Sequence, residues 1–143
     1  MTRYLLDTNV ISAAIKLIPA PSLVAWMSER NDDELFISSL TVAELWRGVL
    51  EKPIGKRRVL LEKWFLGPQG PLALFTGRVL PFDEKAGLIW AKLIAEGKTK
   101  GKPRSPLDMV IAAIAEANDC VVATDNEKDF WGIKVINPLR QVT

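Results

Sequence analysis

The chain has 143 residues, of which 48% are hydrophobic and 25% charged, a balance that suits one soluble domain with a buried core. There is no histidine, which excludes His-based nucleases, Ser-His-Asp hydrolases and the usual zinc sites. The single cysteine, Cys120, excludes an internal disulfide or a thiolate metal cluster, and the net charge is only +2.

The first predicted strand is Arg3–Leu6, ending on Asp7, which interrupts the apolar run before a signal-peptide core can form. Further short apolar runs predict strands at Leu35–Ser38, Val79–Phe82, Val121–Thr124 and Lys134–Ile136. Helical periodicity fills the intervals at Val10–Leu17, Ser22–Glu29, Thr41–Glu51, Lys56–Leu66, Glu84–Glu96 and Pro106–Asn118. Pro53 and the stretch Gly67-Pro68-Gln69-Gly70-Pro71 break the middle helices apart. Strands alternating with helices predict an α/β fold, a parallel sheet covered on both faces, as one domain over residues 1–143. No apolar run is long enough to span a membrane, and a cytoplasmic location is expected.

In such sheets the site lies beyond the carboxyl ends of the strands. Asp7 follows the first strand and Asp125 the fourth, while Glu44 and Asp108 are expected in the first turns of helices opening at that edge. Carboxylates gathered there repel one another and favour a hard, oxygen-liking dication such as Mg²⁺ or Mn²⁺. With four of the 17 acids set aside as ligands, the 19 Lys and Arg exceed the rest by six, which suits a polyanion. Plain structural readings compete. Thr41-x-x-Glu44 and Ser105-x-x-Asp108 both have the form of helix capping boxes, and Asp7 and Asp125 also suit turns.

Four segments carry a resemblance. Leu5-Leu6-Asp7-Thr8-Asn9-Val10-Ile11-Ser12, Thr41-Val42-Ala43-Glu44-Leu45-Trp46-Arg47-Gly48, Ser105-Pro106-Leu107-Asp108-Met109-Val110-Ile111 and Thr124-Asp125-Asn126-Glu127-Lys128-Asp129-Phe130 resemble, in order, the motifs of PIN-domain toxins of the VapBC type. Val135-Ile136-Asn137-Pro138 is similar to their closing strand. The resemblance implies a doubly wound, mainly parallel five-stranded sheet, a homodimer, and a VapB-like antitoxin that blocks the cleft. It also implies an Mg²⁺-dependent endoribonuclease with Asp7, Glu44 and Asp108 on the metal. Many relatives carry an acid where Asn126 stands and others use the acid just before the Phe, so the resemblance leaves the fourth acid as Asp125 or Asp129. Thr8, Asn9 and Thr124 are expected to hold the carboxylates in place.

The basic segment Lys98–Arg104 is expected to form a phosphate-guiding rim, or else a solvated loop. A P-loop ending in Gly97-Lys98-Thr99 is rejected because Lys92 stands where its first glycine belongs. Trp64, Phe65 and Leu66 at the end of one helix are expected to offer an apolar groove to the antitoxin. The other tryptophans are expected in the core or an interface. The competing readings are a phospho-aspartyl phosphatase, which wants Asp-x-Asp where Asp7-Thr8-Asn9 stands, and a non-catalytic Mg²⁺-binding module.

Overall fold

The computed structural model describes residues 1–16 and 18–140. Strands β1 (Arg3–Leu6), β2 (Leu35–Ser38), β3 (Val79–Leu80), β4 (Cys120–Ala123) and β5 (Val135–Ile136) form one sheet in the order β3-β2-β1-β4-β5, every pair parallel. The intervening helices are α1 (Thr8–Ala14), α2 (Pro21–Ser28), α3 (Ser39–Leu50), α4 (Lys56–Leu66), α5 (Pro71–Leu74), α6 (Glu84–Thr99) and α7 (Pro106–Ala117).

The period-two alternation of a strand separates two cores. Leu5 and Val122 point into one, beneath Met109, Ile111, Ile114 and Phe130. Leu6 and Ala123 point into the other, with Val10, Leu23, Ile37 and Phe65. The chain runs outward from β1 through β2 to β3 on the second face, then crosses to β4 beneath α6 and α7 on the first. The direction of winding therefore reverses between β1 and β4. At such a point the flanking loops diverge and leave a crevice at the carboxyl edge. The fold is the doubly wound sheet that the sequence leads one to expect, with no antiparallel strand among the described residues.

Several boundaries move for physical reasons. β3 stops at Leu80 rather than Phe82, because Pro81 has no N–H for the ladder. The segment expected only to break helices contains a short one, α5, opened by Pro71. Gly70 is required just before it, since a Cβ there would lie 2.1 Å from the Trp64 carbonyl oxygen. α1 ends at Ala14, and Leu17, the expected helix end, lies outside the described residues.

Phe65 is buried and packs against Trp46 at 4.8 Å between ring centroids. It therefore belongs to the core and not to an exposed groove; Val59, Leu60 and Leu66 are the exposed apolar residues of α4. Among the described residues no helix is long and apolar enough to cross a membrane.

Candidate active site

Asp7 lies at the reversal point. Its backbone N–H extends the β1 ladder to the Ala123 carbonyl at 2.9 Å, and its extended backbone makes it the N-cap of α1. The carboxylate accepts from the Thr8 N–H on Oδ1 (2.8 Å), and from the Thr124 hydroxyl (2.9 Å) and Asn9 Nδ2 (3.3 Å) on Oδ2. It is 6% exposed, with no cation bonded to it among the described residues. Burial pushes its pKa above the ordinary carboxylate value. The bonds from Thr124 and Thr8 oppose the rise, and the charges of Asp108 and Glu44 add to it.

Asn9 ties this acid to the fourth strand. Its Nδ2 also reaches Thr124 Oγ1 (3.3 Å), and its Oδ1 accepts from the Asp125 backbone N–H (3.2 Å). The amide is thus committed through both ends. Asn9 cannot act as a second acid, so the Asp-x-Asp pair of a phospho-aspartyl phosphatase is not built here.

Glu44 is fixed differently. Thr41 is not the N-cap of α3: Ser38 is, accepting from the Thr41 N–H at 3.0 Å, so the helix starts earlier than expected. Glu44 is therefore the sixth helical residue, in the second turn rather than the first, and caps nothing. Its Oε1 accepts from the Thr8 hydroxyl at 2.6 Å, and that hydroxyl lies 3.0 Å from Thr41 Oγ1. A hydroxyl has one proton to give. Since Thr8 gives its own to Glu44, Thr41 must donate to Thr8 and Ser38, 3.2 Å away, to Thr41. The chain of donors ends on the Glu44 side chain.

Asp108 is the third residue of α7, whose N-cap Ser105 accepts its backbone N–H at 3.3 Å. Burial raises its pKa, the Ser105 hydroxyl opposes this, and the charges of Asp129 and Glu44 add. Asp7, Glu44, Asp108 and Asp125 all line one cleft of about 760 Å³. Asp129 does not line it, yet its charge is felt at Asp108, and Asn126 Nδ2 holds its Oδ2 at 2.6 Å. Both candidates for the fourth acid are thus tied to the loop after β4.

All donors offered to an ion are oxygens, which fits a hard dication. Among the described residues no three acids stand close enough to hold one by themselves. Mg²⁺ commonly keeps several waters and takes one or two carboxylates, so the donor set still fits it.

The chain belongs to the PIN-domain family. The family model, described as a PIN domain, matches residues 4–131. A VapC ribonuclease, Y4jK, of Sinorhizobium fredii is 41% identical, the match covering 93% of this chain and 95% of that one. Toxin FitB of Neisseria gonorrhoeae is 38% identical over 94% and 96%. The structure of FitAB bound to an IR36 DNA fragment superposes with a TM-score of 0.89 at 36% identity, covering 98% of each chain. Within the PIN family the chain is therefore VapC-like, as its four motifs imply.

The basic segment is not where a PIN-domain cleft would use it. None of its residues is among those lining the cleft. Arg104 is buried: it donates to the Leu93 carbonyl (2.9 Å), the Trp131 carbonyl (3.1 Å) and Glu96 (3.3 Å), and stacks 3.6 Å from the centre of the Trp131 ring. Lys102 sits 5.1 Å over the same ring. Arg104 is thus a packing residue on the first face, while Lys98, Lys100 and Lys102 are exposed, so the segment is largely the solvated loop that was the alternative to a rim. Sequence reasoning also missed Asn137, whose Nδ2 donates to Asp125 (3.2 Å) and Glu127 (2.9 Å). Its signal was its place one residue past β5, level with Thr124, the residue before Asp125.

Proposed function

We propose that this protein is a metal-dependent endoribonuclease, the toxin of a type II toxin–antitoxin pair, with Mg²⁺ (or Mn²⁺) held by Asp7 and Asp108. The observation that carries the reading is the convergence of Asp7, Glu44, Asp108 and Asp125, from four separate elements, on one cleft at the sheet's reversal point. A relative named a ribonuclease and another named a toxin support it.

When bound, the ion would offset phosphate charge and make a water more acidic. The chain supplies the rest. Asp7 is held by Thr8, Asn9 and Thr124, so its oxygens keep their position without reorganisation. Glu44 has Oε1 committed to Thr8, which leaves Oε2 to orient the attacking water and take its proton. Asp125, which lines the cleft, would stand on the side of the leaving 3′-oxygen, which takes its proton from solvent as the P–O bond breaks. Attack by water rather than by the 2′-hydroxyl leaves a 5′-phosphate and a 3′-hydroxyl.

The partner is a VapB-like antitoxin that covers the cleft with a basic group, which the unpaired acids would attract. A homodimer accompanies this reading. The test is RNA decay with Mg²⁺ against EDTA, with para-nitrophenyl phosphate as a counter-substrate. Cleavage of RNA alone, abolished by EDTA, is expected. Full turnover in EDTA by a preparation free of other nucleases would overturn the mechanism. An inactive protein whose RNA stays intact in Mg²⁺ and Mn²⁺ would overturn the activity.

A further inference from the structure

An acidic cleft that receives a polyanion needs some fixed positive charge, and Lys98–Arg104 does not supply it. Among the described residues, the cleft's lining contains one cation, Lys16. Asn9, Ser12, Ala13 and Lys16 all line the cleft, at spacings of three, four and seven residues, and so lie along one stripe of α1 and the turn that ends it. The turn is held to that helix by the Ile15 N–H on the Ile11 carbonyl (3.1 Å) and the Lys16 N–H on the Ala13 carbonyl (3.4 Å). At the helical rise, Lys16 sits about 10 Å along the axis from Asn9. It is exposed and makes no ion pair among the described residues, so its charge is not spent on the acids.

We propose that Lys16 binds a backbone phosphate of the RNA flanking the one being cut, and so sets substrate affinity without entering the chemistry. The proposal rests on the nuclease reading of the same cleft. Its distance from Asn9, and hence from Asp7, separates it from the scissile position. A point charge on a flexible stem suits a phosphate whose exact geometry does not matter.

Lys16→Gln should raise KM about fivefold at 0.1 M salt and leave kcat near wild type, the loss expected of one phosphate contact on a single strand. Binding of a labelled single-stranded RNA, measured with Ca²⁺ replacing Mg²⁺ to suppress turnover, should show a salt slope shallower by about 0.7. Lys16→Arg should restore both, and Lys63→Gln on α4 should change neither. A Lys16→Gln variant with wild-type KM and salt slope, or one that loses kcat at unchanged KM, overturns the proposal. So does a wild type that binds no RNA. RNA that is bound but never cut overturns the nuclease reading instead, and the slope difference still decides on Lys16.

Discussion

Asp7 and Arg104 are both 6% exposed, and the molecule treats the two buried charges in opposite ways. Around Arg104 the chain provides acceptors: two carbonyls, the Glu96 carboxylate and an aromatic face. Two glycines make room for it. A Cβ on Gly97 would meet Arg104 backbone and side chain at 3.2–3.3 Å, and one on Gly132 would lie 2.9 Å from its guanidinium. Around Asp7 the chain provides neutral donors and then adds two further negative charges, Asp108 and Glu44. A charge answered by its own chain holds the fold together. A charge set among its own sign opposes the fold unless something else answers it.

The largest effects should separate the two on activity. On the nuclease reading, Asp7→Asn and Asp108→Asn each remove a carboxylate that would hold a hard cation, and RNA cleavage should fall beyond the roughly 10–100-fold typical of losing an outer-shell partner. Their melting temperatures should stay within a few degrees of wild type. Wild-type cleavage by Asp7→Asn would erase the contrast between the two buried charges. Arg104→Met should do the reverse, removing charged hydrogen bonds worth about 2–3 kcal/mol in sum and lowering the melting temperature by roughly 6–10 °C. Thermal unfolding of Arg104→Met that matches wild type would show that the buried guanidinium is not structural.

A smaller contrast lies inside the cleft. Asp125 lines it and is bonded by Asn137, whereas Asp129 is reached through Asn126 and faces Asp108 by charge alone. Single-turnover cleavage by Asp125→Asn should therefore drop more than by Asp129→Asn. The opposite order would make Asp129 the fourth acid, and two unaffected rates would leave three.

The β-strands and α7 were legible because apolar period and length agree there with tertiary burial. Asp7, Asp108 and Asp125 were legible because each sits next to a strand or helix start. The register of α3 was not. Ser38-x-x-Thr41 and Thr41-x-x-Glu44 are both plausible starts, and the pairing of Ser38 with Leu80 at the end of β2 favours the first. That choice turns Glu44 from a cap into a cleft residue. Arg104 was misread because a run of four cations is ordinarily solvated. Its burial depends on Gly97, Gly132 and Trp131, which only the fold brings together. Lys16 carries no local mark beyond its spacing from Asn9.

The smallest effect is on the stability of the metal-free protein. Burial and the neighbouring acids raise the pKa of Asp7 in the folded state above its unfolded value. Between those two values the folded protein binds more protons than the unfolded chain, so stability increases as pH falls through the raised pKa. The gain is complete below the unfolded pKa and is lost again as pH rises through the folded one. Asp108 acts in the same direction. Asparagine at position 7 carries no charge and still caps a helix well. Asp7→Asn should therefore melt higher than wild type near neutral pH in EDTA, by roughly 2–6 °C, about 1 kcal/mol for a chain of this size. That margin should shrink as pH is lowered, since wild type then becomes neutral at the same atom. Mg²⁺ should stabilise wild type by mass action and Asp7→Asn much less. Melting curves over pH with EDTA or Mg²⁺ test this directly. Equal Mg²⁺ shifts in the two proteins, with a lower metal-free melting point for Asp7→Asn at every pH, would make Asp7 a helix cap and nothing more.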